Sequence, residues 1–345
     1  MDKQESQIIE LVRERQPLSS KEVFETISSP LSYATVKRML VKLQVEGYLI
    51  RDGQGKATKY LLSPTYELLY PIDIDDYFTN EIDQRRIRDQ FNHHLIPDVL
   101  GKYCVFTPDE LIHLETLQDR YRQNFSRLSE TQAKKELERL AIDLSWKSSQ
   151  IEGNTYSLLE TERLLMDKQT AAGKTKEEAV MLLNHKEAID FIIANPDYLQ
   201  PLSIPRIEDI HRLLVKELAI DTNLRTWRVG ISGTNYRPLD NVFQIKEALT
   251  LMCDLINKKE SAFEKALLLL VLISYIQPFV DGNKRTARIV SNAILINHQY
   301  CPISFRTVDS VEYKKSMLIF YEQNNLAHFK KIFIDQFEFA VNTYF

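Results

Sequence analysis

The segment IQPFVDGNKRTAR, residues 276–288, contains the residue types that hold a chain of phosphates. A second helical pattern begins near Gly282, and the first N–H groups of a helix have no internal partner and favour anions. A glycine at that point lets a phosphate approach the backbone. The predicted phosphate-binding residues are Gly282, Asn283, Lys284, Arg285 and Arg288.

Asp281 directly precedes this predicted helix start. A carboxylate beside phosphates is favourable when Mg²⁺ bridges them, because Mg²⁺ takes oxygen ligands and often one carboxylate. The sequence therefore predicts a Mg²⁺ ligand at Asp281. A capped helix with a solvated basic face is the simpler alternative, and the attachment to a buried helix through Pro278-Phe279 argues against it.

Gln277 occupies the position before Pro278-Phe279, where a reactive base would lie. An amide side chain carries donors and an acceptor but has no useful basicity near neutral pH. General-base help contributes typically about 10²–10⁴-fold to a rate. Whether the segment is a working catalyst or a phosphate site that has lost its base is open at this point.

The element that delivers this site is the run SAFEKALLLLVLISYI, residues 261–276, which is apolar nearly all round. Such a pattern predicts a buried core helix. From about residue 85 to 345 the chain reads as helical, so the fold class is mainly α. The longest apolar run, 266–273, is far short of the roughly 20 residues that span a bilayer.

The segment RVGISGTNYRPLD, residues 228–240, interrupts the helical pattern. Val229 and Ile231 alternate with polar residues, and Gly233 and Pro238 then break the chain, which predicts a short β-hairpin or an extended flap. An exposed flap edge can pair with an extended peptide, while a plain connecting loop is the alternative. The predicted docking residues are Ile231, Ser232, Gly233, Thr234, Asn235 and Tyr236.

The N-terminal 62 residues follow a different pattern, with helices predicted at 4–15, 21–27 and 32–48 before two β-rich runs. Three helices followed by a hairpin resemble a small winged helix-turn-helix (α+β) domain. Residues 1–60 carry ten Lys/Arg and eight Asp/Glu, a modest balance of +2. Protein binding alone is therefore an alternative to DNA binding.

In a winged helix-turn-helix domain the third helix enters the major groove, and basic wing residues contact phosphates. The DNA-contact candidates in the third helix are Tyr33, Thr35, Lys37 and Arg38. The candidates in the wing are Arg51, Lys56 and Lys59.

The composition agrees with a globular protein of two or three domains. The 345 residues are 44% apolar and 27% charged with a net charge of −4. Three widely spaced cysteines indicate neither a disulfide framework nor a thiolate metal site. The charged N-terminus lacks the apolar core of a signal peptide, so we expect a reduced, cytoplasmic setting without a membrane partner.

The phosphate segment resembles the signature of the Fic (filamentation induced by cAMP) family, H-P-F-x-[D/E]-G-N-[G/K]-R-x-x-R. It matches at each specified position from Pro278 to Arg288 and departs only at Gln277, where the family has His. A second family motif, [S/T]-x-x-x-E-[G/N], is matched upstream by Ser148, Glu152 and Gly153. The resemblance covers roughly residues 85–345, with the flap between the two motifs.

This resemblance implies a helical Fic domain at 91–345, after a linker or strap at 63–90 and the winged domain at 1–62. It implies a cofactor, Mg-ATP, and transfer of AMP to a Ser, Thr or Tyr hydroxyl of a target protein, which could be a second copy of the chain. Asp281 would hold Mg²⁺, Arg288 would bind the γ-phosphate, and the flap would dock the target. A homodimer is left open.

Glu152 is expected in the last turn of a helix at about 140–153, where a negative charge is unfavourable for the helix dipole. A surface carboxylate is the plain alternative. The family resemblance implies instead that Glu152 pairs with Arg288 and displaces the γ-phosphate. The chain would then belong to the class that is inhibited by a preceding helix.

Several alternatives remain open at this stage. Gln277 is compatible with nucleotide binding and little turnover, with transfer to a more acidic nucleophile, or with an engineered change in an active enzyme. Lys284 is also found in Doc-like members, which transfer the γ-phosphate. The main hypothesis is an autoinhibited adenylyltransferase, and the competing one is an inactive nucleotide-binding transcriptional regulator that acts through the winged domain.

Overall fold

A computed structural model of the chain describes residues 3–28 and 30–345, apart from the side chain of Lys56. The N-terminal part contains helices α1 (Lys3–Arg15), α2 (Ser20–Thr26) and α3 (Tyr33–Val45). Strands β1 (Leu49–Asp52) and β2 (Lys59–Leu62) follow and pair antiparallel, with Leu49 opposite Leu62. The predicted order of three helices and a hairpin is confirmed.

Local sequence signals fix these elements. Ser19 caps α2 through a capping box with Glu22, and Ser32 caps α3. The apolar faces of the three helices and the hairpin share one core, separate from that of the larger domain. Its buried members include Ile8, Val12, Val36, Leu40, Leu43, Leu49 and Tyr60.

Residues 63–90, here called the strap, connect this small domain to the rest of the chain and contain two short helices, α4 (Tyr66–Leu69) and α5 (Ile74–Tyr77). Tyr66 packs against the small core, whereas Leu68 and Leu69 belong to the large one. The strap therefore packs against both parts of the protein.

The large domain is helical, and a π-helical turn at Leu95–Leu100 precedes its main helices. These are α6 (Pro108–Phe125), α7 (Glu130–Ile151), α8 (Leu158–Asp167), α9 (Lys176–Ala194), α10 (Ile204–Val215), α11 (Val242–Lys258), α12 (Ala262–Ile276), α13 (Asn283–Asn297), α14 (Ser310–Gln323) and α15 (Ala327–Tyr344).

Helix α12 is the central element of this domain. Every residue from Ala262 to Ile276 is buried, which confirms the predicted core helix. It packs against α11, α13 and α14, so its C-terminal end is fixed from several sides. None of the helices in the described part of the chain combines the length and apolarity that crossing a membrane requires.

Two details of the expected fold are corrected. Within residues 3–28 and 30–345 the only sheet is the β1–β2 pair, so residues 228–240, here called the flap, do not form a β-hairpin. The flap is extended, with one turn at 232–233 and a single parallel bridge between Arg237 and Gln90. Its backbone is anchored through side chains, because Thr234 and Tyr236 are buried and the Tyr236 hydroxyl donates to the Tyr275 carbonyl at 3.0 Å.

The helix expected at about 140–153 is longer than predicted. It begins at Glu130, because Ser129 and Gln132 form a capping box there, and it ends at Ile151 with Glu152 as its C-cap. Glu152 therefore lies at the end of the helix, close to the predicted position.

Candidate active site

A cleft of about 380 Å³ brings together four segments that are far apart in the sequence. These are the end of α7, the flap, α14, and the turn between α12 and α13 with the first residues of α13. The turn (residues 277–282) is here called the phosphate turn. The lining residues from the predicted motifs are Glu152, Ile231, Ser232, Gln277, Asp281, Gly282, Asn283 and Lys284. The structure thus places these eight predicted residues around one cavity.

Two residues with positive φ shape the phosphate turn. Gln277 is the C-cap of α12 with φ +51°, and Gly282 is the N-cap of α13 with φ +82°. A Cβ atom at position 282 would lie 3.3 Å from His211 Nε2 and from Val215 Cγ1. Glycine is therefore required both by its conformation and by the close approach of α10.

Two buried side chains outside the predicted motifs hold this turn. His211 Nε2 donates to the Asp281 carbonyl at 3.0 Å. The His211 ring stacks on the Phe279 ring with centroids 3.7 Å apart. Burial lowers the pKa of His211, which keeps the ring neutral. Arg225 is fully buried and donates through Nε to the Gln277 carbonyl at 2.6 Å. No motif or spacing in the sequence pointed to either residue.

The Gln277 side chain is tied into the wall of the cleft. Its Nε2 donates to the Ser274 carbonyl at 2.6 Å, and its Oε1 accepts from Asn283 Nδ2 at 2.9 Å. Asn283 also exchanges hydrogen bonds with the backbone of Phe279. The Asn283 amide therefore stabilises the turn, whereas the sequence had suggested a donor directed at a phosphate.

Arg285 and Arg288 are both buried beside the cleft, at 1% and 0% exposure. Arg285 Nη2 lies 3.2 Å from Asp281 Oδ2, but its Nε and Nη1 are buried without a hydrogen-bond partner among the described residues. Unsatisfied buried donors are costly. A bound anion would satisfy these donors.

Arg288 is held by the end of α7. Its Nε donates to Ser148 Oγ at 2.8 Å and its Nη2 donates to the Ser148 carbonyl at 3.0 Å. The same Nη2 lies 2.8 Å from Glu152 Oε1, while Nη1 is buried with no hydrogen-bond partner in the described part of the chain. The predicted pairing of Glu152 with Arg288 is thus present in the structure.

Glu152 is paired twice, because Lys284 Nζ lies 3.4 Å from its Oε2. Burial by itself would raise the pKa of the Glu152 carboxyl, but the charges of Arg288 and Lys284 outweigh it and the pKa is lowered. A lowered folded-state pKa means that the pairing is complete at neutral pH and is lost only as pH falls through that value.

His185 completes the network from α9. Its Nε2 lies 2.6 Å from Ser148 Oγ. Burial, reinforced by the charges of Arg288 and Arg285, lowers its pKa well below the usual value, so the ring is neutral. Because Ser148 Oγ accepts from Arg288, its proton is available to donate to His185 Nε2. Sequence analysis did not find His185, which lies 37 positions from Ser148.

Asp281 is compatible with the predicted metal role. Its side chain is 62% exposed and lines the cleft, although one oxygen accepts from the Gly282 amide at 2.6 Å. Among the described residues no group of three or more His, Cys, Asp or Glu side chains could hold a metal ion. A single carboxylate suits Mg²⁺, which keeps several waters and is completed by phosphate oxygens.

Helix α14 supplies cleft residues that the sequence did not reveal. They are Lys314, Met317, Leu318 and Tyr321. Tyr321 is buried and stacks on Tyr236 of the flap with ring centroids 5.7 Å apart. The spacing of these four α14 residues is the same as that of apolar residues in any core helix. The sequence therefore does not distinguish them, and only the packing of α14 against α12 places them at the cleft.

The DNA-contact candidates lie apart from the cleft, on α3 and the hairpin. Lys37, Arg38 and Arg51 are exposed, and Lys37 lies 4.9 Å above the Tyr33 ring. Thr35 is half-buried and its hydroxyl is hydrogen-bonded to Ser32. The side chain of Lys56 lies outside the described part of the structure, and Lys59 forms an ion pair with Glu22.

Comparisons with known proteins agree with this geometry. The model of the Fic/DOC family matches residues 201–295, a range that contains the flap and the phosphate turn. Residues 201–295 form a Fic/DOC family domain. The model of the penicillinase repressor matches residues 1–67, which contain the three-helix and hairpin domain. Glu152 lies N-terminal to the matched Fic range.

Relatives of the Fic domain are adenylyltransferases. The chain is 30% identical over 176 residues to the protein adenylyltransferase Fic of Nematostella vectensis, across 49% of the chain and 40% of that protein. It is 25% identical over 214 residues to protein adenylyltransferase fic-1 of Caenorhabditis briggsae, across 59% of the chain and 41% of that protein. The chain spans about two fifths of the length of these curated relatives.

Solved structures support the same fold. A C. elegans Fic-1 structure (residues 134–508) gives a TM-score of 0.60 at 22% identity, covering 68% of this chain and 72% of that one. A Fic domain-containing signaling protein from Bacteroides thetaiotaomicron gives a TM-score of 0.56 at 20% identity. The match covers 66% of this chain and 92% of that one. At these identities the likeness concerns the fold alone.

Gly282→Ala should weaken Mg-ATP binding by about tenfold, because the new Cβ is strained at positive φ and presses on His211 and Val215. The affinity is measured by calorimetry in proteins with and without Gly282→Ala. Both proteins also carry Glu152→Gly, so that Glu152 does not pair with Arg288. Gly173→Ala is the matched control, since Gly173 also has positive φ, at +76°, but has no neighbour within 4 Å of an added Cβ. Equal affinity in the Gly282→Ala variant and its parent would contradict the assignment of the turn.

Proposed function

We propose that the chain is an autoinhibited Fic-type adenylyltransferase that binds Mg-ATP and transfers AMP to a Ser, Thr or Tyr hydroxyl of a protein, which could be a second copy of the chain. The observation that carries this proposal is the pairing of the buried Arg288 with Glu152 at 2.8 Å beside the phosphate turn. Adenylyltransferase relatives and the Fic fold support the reaction class.

The binding chemistry follows from the described side chains. The first turn of α13 would bind phosphate oxygens through its N–H groups, and the unpaired donors of Arg285 would add charge-assisted hydrogen bonds. Asp281 would hold Mg²⁺, which supplies charge compensation for the phosphates when bound. The flap would align an extended target segment so that its hydroxyl faces the cleft.

Glu152 would act as the lock. One oxygen of its carboxylate pairs with the Arg288 guanidinium, to which a γ-phosphate would otherwise bind. The other carboxylate oxygen pairs with Lys284. Removing Glu152 leaves a buried guanidinium without its anion, which is strongly unfavourable. A γ-phosphate would compensate that charge, so the unlocked protein should bind ATP more tightly.

Gln277 would make the transfer slow. The carboxamide cannot take a proton from a target hydroxyl, and both of its ends already bond to Ser274 and Asn283. Phosphate binding, metal binding and positioning remain in place. We therefore propose residual AMP transfer from a site that lacks its base.

A nucleotide-binding regulator is the second candidate. It is favoured by the engaged Gln277 carboxamide, by the match of residues 1–67 to the penicillinase repressor model, and by the exposed Lys37 and Arg38 on α3. In that function ATP would be bound without transfer, and the winged domain would contact DNA. An experiment with labelled ATP distinguishes the two candidates, because the transferase attaches label to a protein and the regulator only binds ATP.

Glu152→Gly should raise Mg-ATP affinity by about tenfold or more, since a charge-assisted contact of Arg288 is exchanged for one with the γ-phosphate. Calorimetry with ATP and with AMP measures the gain, which should be absent for AMP. Glu260→Gly is the control, because Glu260 is an exposed loop residue away from the cleft. A gain of equal size for AMP would show that Glu152 does not compete with the γ-phosphate.

Gln277→His should raise AMP transfer by about 10²-fold or more, on the scale of general-base catalysis, while nucleotide affinity changes little. The rate of transfer is measured as self-labelling of the protein with α-labelled and with γ-labelled ATP. The measurement is made in Gln277→His alone and in the double variant with Glu152→Gly. Gln277→Ala is the control that removes the carboxamide without adding a base. Label only from the γ position would identify phosphate transfer, and bound ATP without any label would favour the regulator.

Replacing Lys37 and Arg38 with Ala should weaken binding to a short DNA duplex and reduce the slope of log K against log salt concentration by about 2, since each phosphate contact contributes about 0.9. Fluorescence anisotropy titrations at several salt concentrations measure this. The double change of the exposed Lys134 and Lys135 on α7 is the control. Unchanged binding would leave the winged domain as a protein-interaction module.

A further inference from the structure

The flap is anchored to the strap by a buried arginine that the proposed function does not use. Arg85 lies near the end of the strap, and its side chain is only 5% exposed. Its guanidinium carbon lies 5.1 Å from the ring centroid of Phe78 and 6.0 Å from that of Tyr77. Burying a guanidinium is costly unless it is paired, so its partners indicate its role.

The first partner of Arg85 is on α14. Arg85 Nη1 lies 3.3 Å from Oε1 of Glu322, whose side chain is fully buried. The other Glu322 oxygen accepts from the Tyr77 hydroxyl at 2.6 Å, and the Glu322 carbonyl accepts from the Arg88 amide at 2.8 Å. The end of the strap is therefore fixed to the helix that supplies Met317, Leu318 and Tyr321 to the cleft.

The second partner is the turn of the flap. Arg85 Nη2 donates to the Gly233 carbonyl at 2.7 Å. Gly233 has φ +87°, and Leu318 Cδ1 lies 3.3 Å from where its Cβ would be. The turn thus contacts both Arg85 and Leu318, directly after Ile231 and Ser232, which line the cleft.

Further contacts join the same two segments at the surface. Asn235 Nδ2 donates to Asp83 Oδ1 at 2.8 Å, and the Arg237 amide donates to the Asp89 carbonyl at 2.9 Å. Exposed side-chain contacts contribute little individually. Because the flap has no ladder of backbone hydrogen bonds within the described residues, it is held by side chains. The buried Tyr236 donates to the Tyr275 carbonyl, and the buried Arg85 guanidinium donates to the turn at Gly233.

We infer that Arg85 is a positioning residue that fixes the flap relative to the cleft. A target segment would then meet a preformed edge, and less conformational entropy would be lost on binding. This consequence for the target rests on the proposed function. The positioning of the flap by Arg85 does not, because it concerns contacts within the chain.

Hydrogen exchange of the full chain tests the inference directly. In Arg85→Ala the hydrogen-bonded flap amides of Tyr236 and Arg237 should exchange about tenfold faster or more, whereas those of α12 should not change. Arg85→Lys keeps a charge beside Glu322 and should retain part of the protection. Arg86→Ala is the matched control, because Arg86 is the exposed neighbouring arginine. Asp83→Ala should have a smaller effect than Arg85→Ala.

Calorimetry with Mg-ATP, in a protein that also carries Glu152→Gly, provides a second readout. Adding Arg85→Ala should leave the affinity within about twofold, because the described contacts of Arg85 include no residue of the phosphate turn. Flap exchange that is unchanged in both Arg85 variants would overturn the inference, as would equal acceleration in α12. A Glu152→Gly protein that does not bind Mg-ATP would refute the proposed function, while the exchange data would still decide the role of Arg85.

Discussion

The buried guanidinium of Arg288 is the group on which the organisation of the site depends. It is fully excluded from solvent, so its charge must be compensated from within the protein or by a ligand. Ser148 and Glu152 provide that compensation from the end of α7, and His185 fixes Ser148 in turn. The proposed competition between Glu152 and a γ-phosphate rests on the same requirement, because a buried guanidinium needs an anion beside it.

The phosphate turn is rigid for a related reason. Its carbonyl groups at Gln277 and Asp281 accept from Arg225 and His211, both of them buried, and Asn283 closes the turn from inside. Gln277 belongs to this network, since its carboxamide joins the end of α12 to Asn283. The side chain at the position of the signature His is therefore a structural link between the end of α12 and the start of α13.

The strap connects the small domain with the flap. It begins beside the core of the winged domain through Tyr66 and ends with Arg85 holding the flap. Within the described residues the flap forms no strand, so its position is set by contacts with the strap, α12 and α14. The small domain, the flap and the cleft are therefore parts of one packed structure.

The sequence by itself determined the elements and the local chemistry. Capping residues, apolar periodicity and the glycine at 282 act over a few positions, so the core helix, the winged domain and the phosphate turn could be predicted. Only the tertiary structure decided between a hairpin and an extended flap, and it alone decided the roles of Arg85, His185, His211, Arg225 and Tyr321. Those residues reach the site from segments far away in the chain, and a contact that depends on how helices pack leaves no spacing pattern in the sequence.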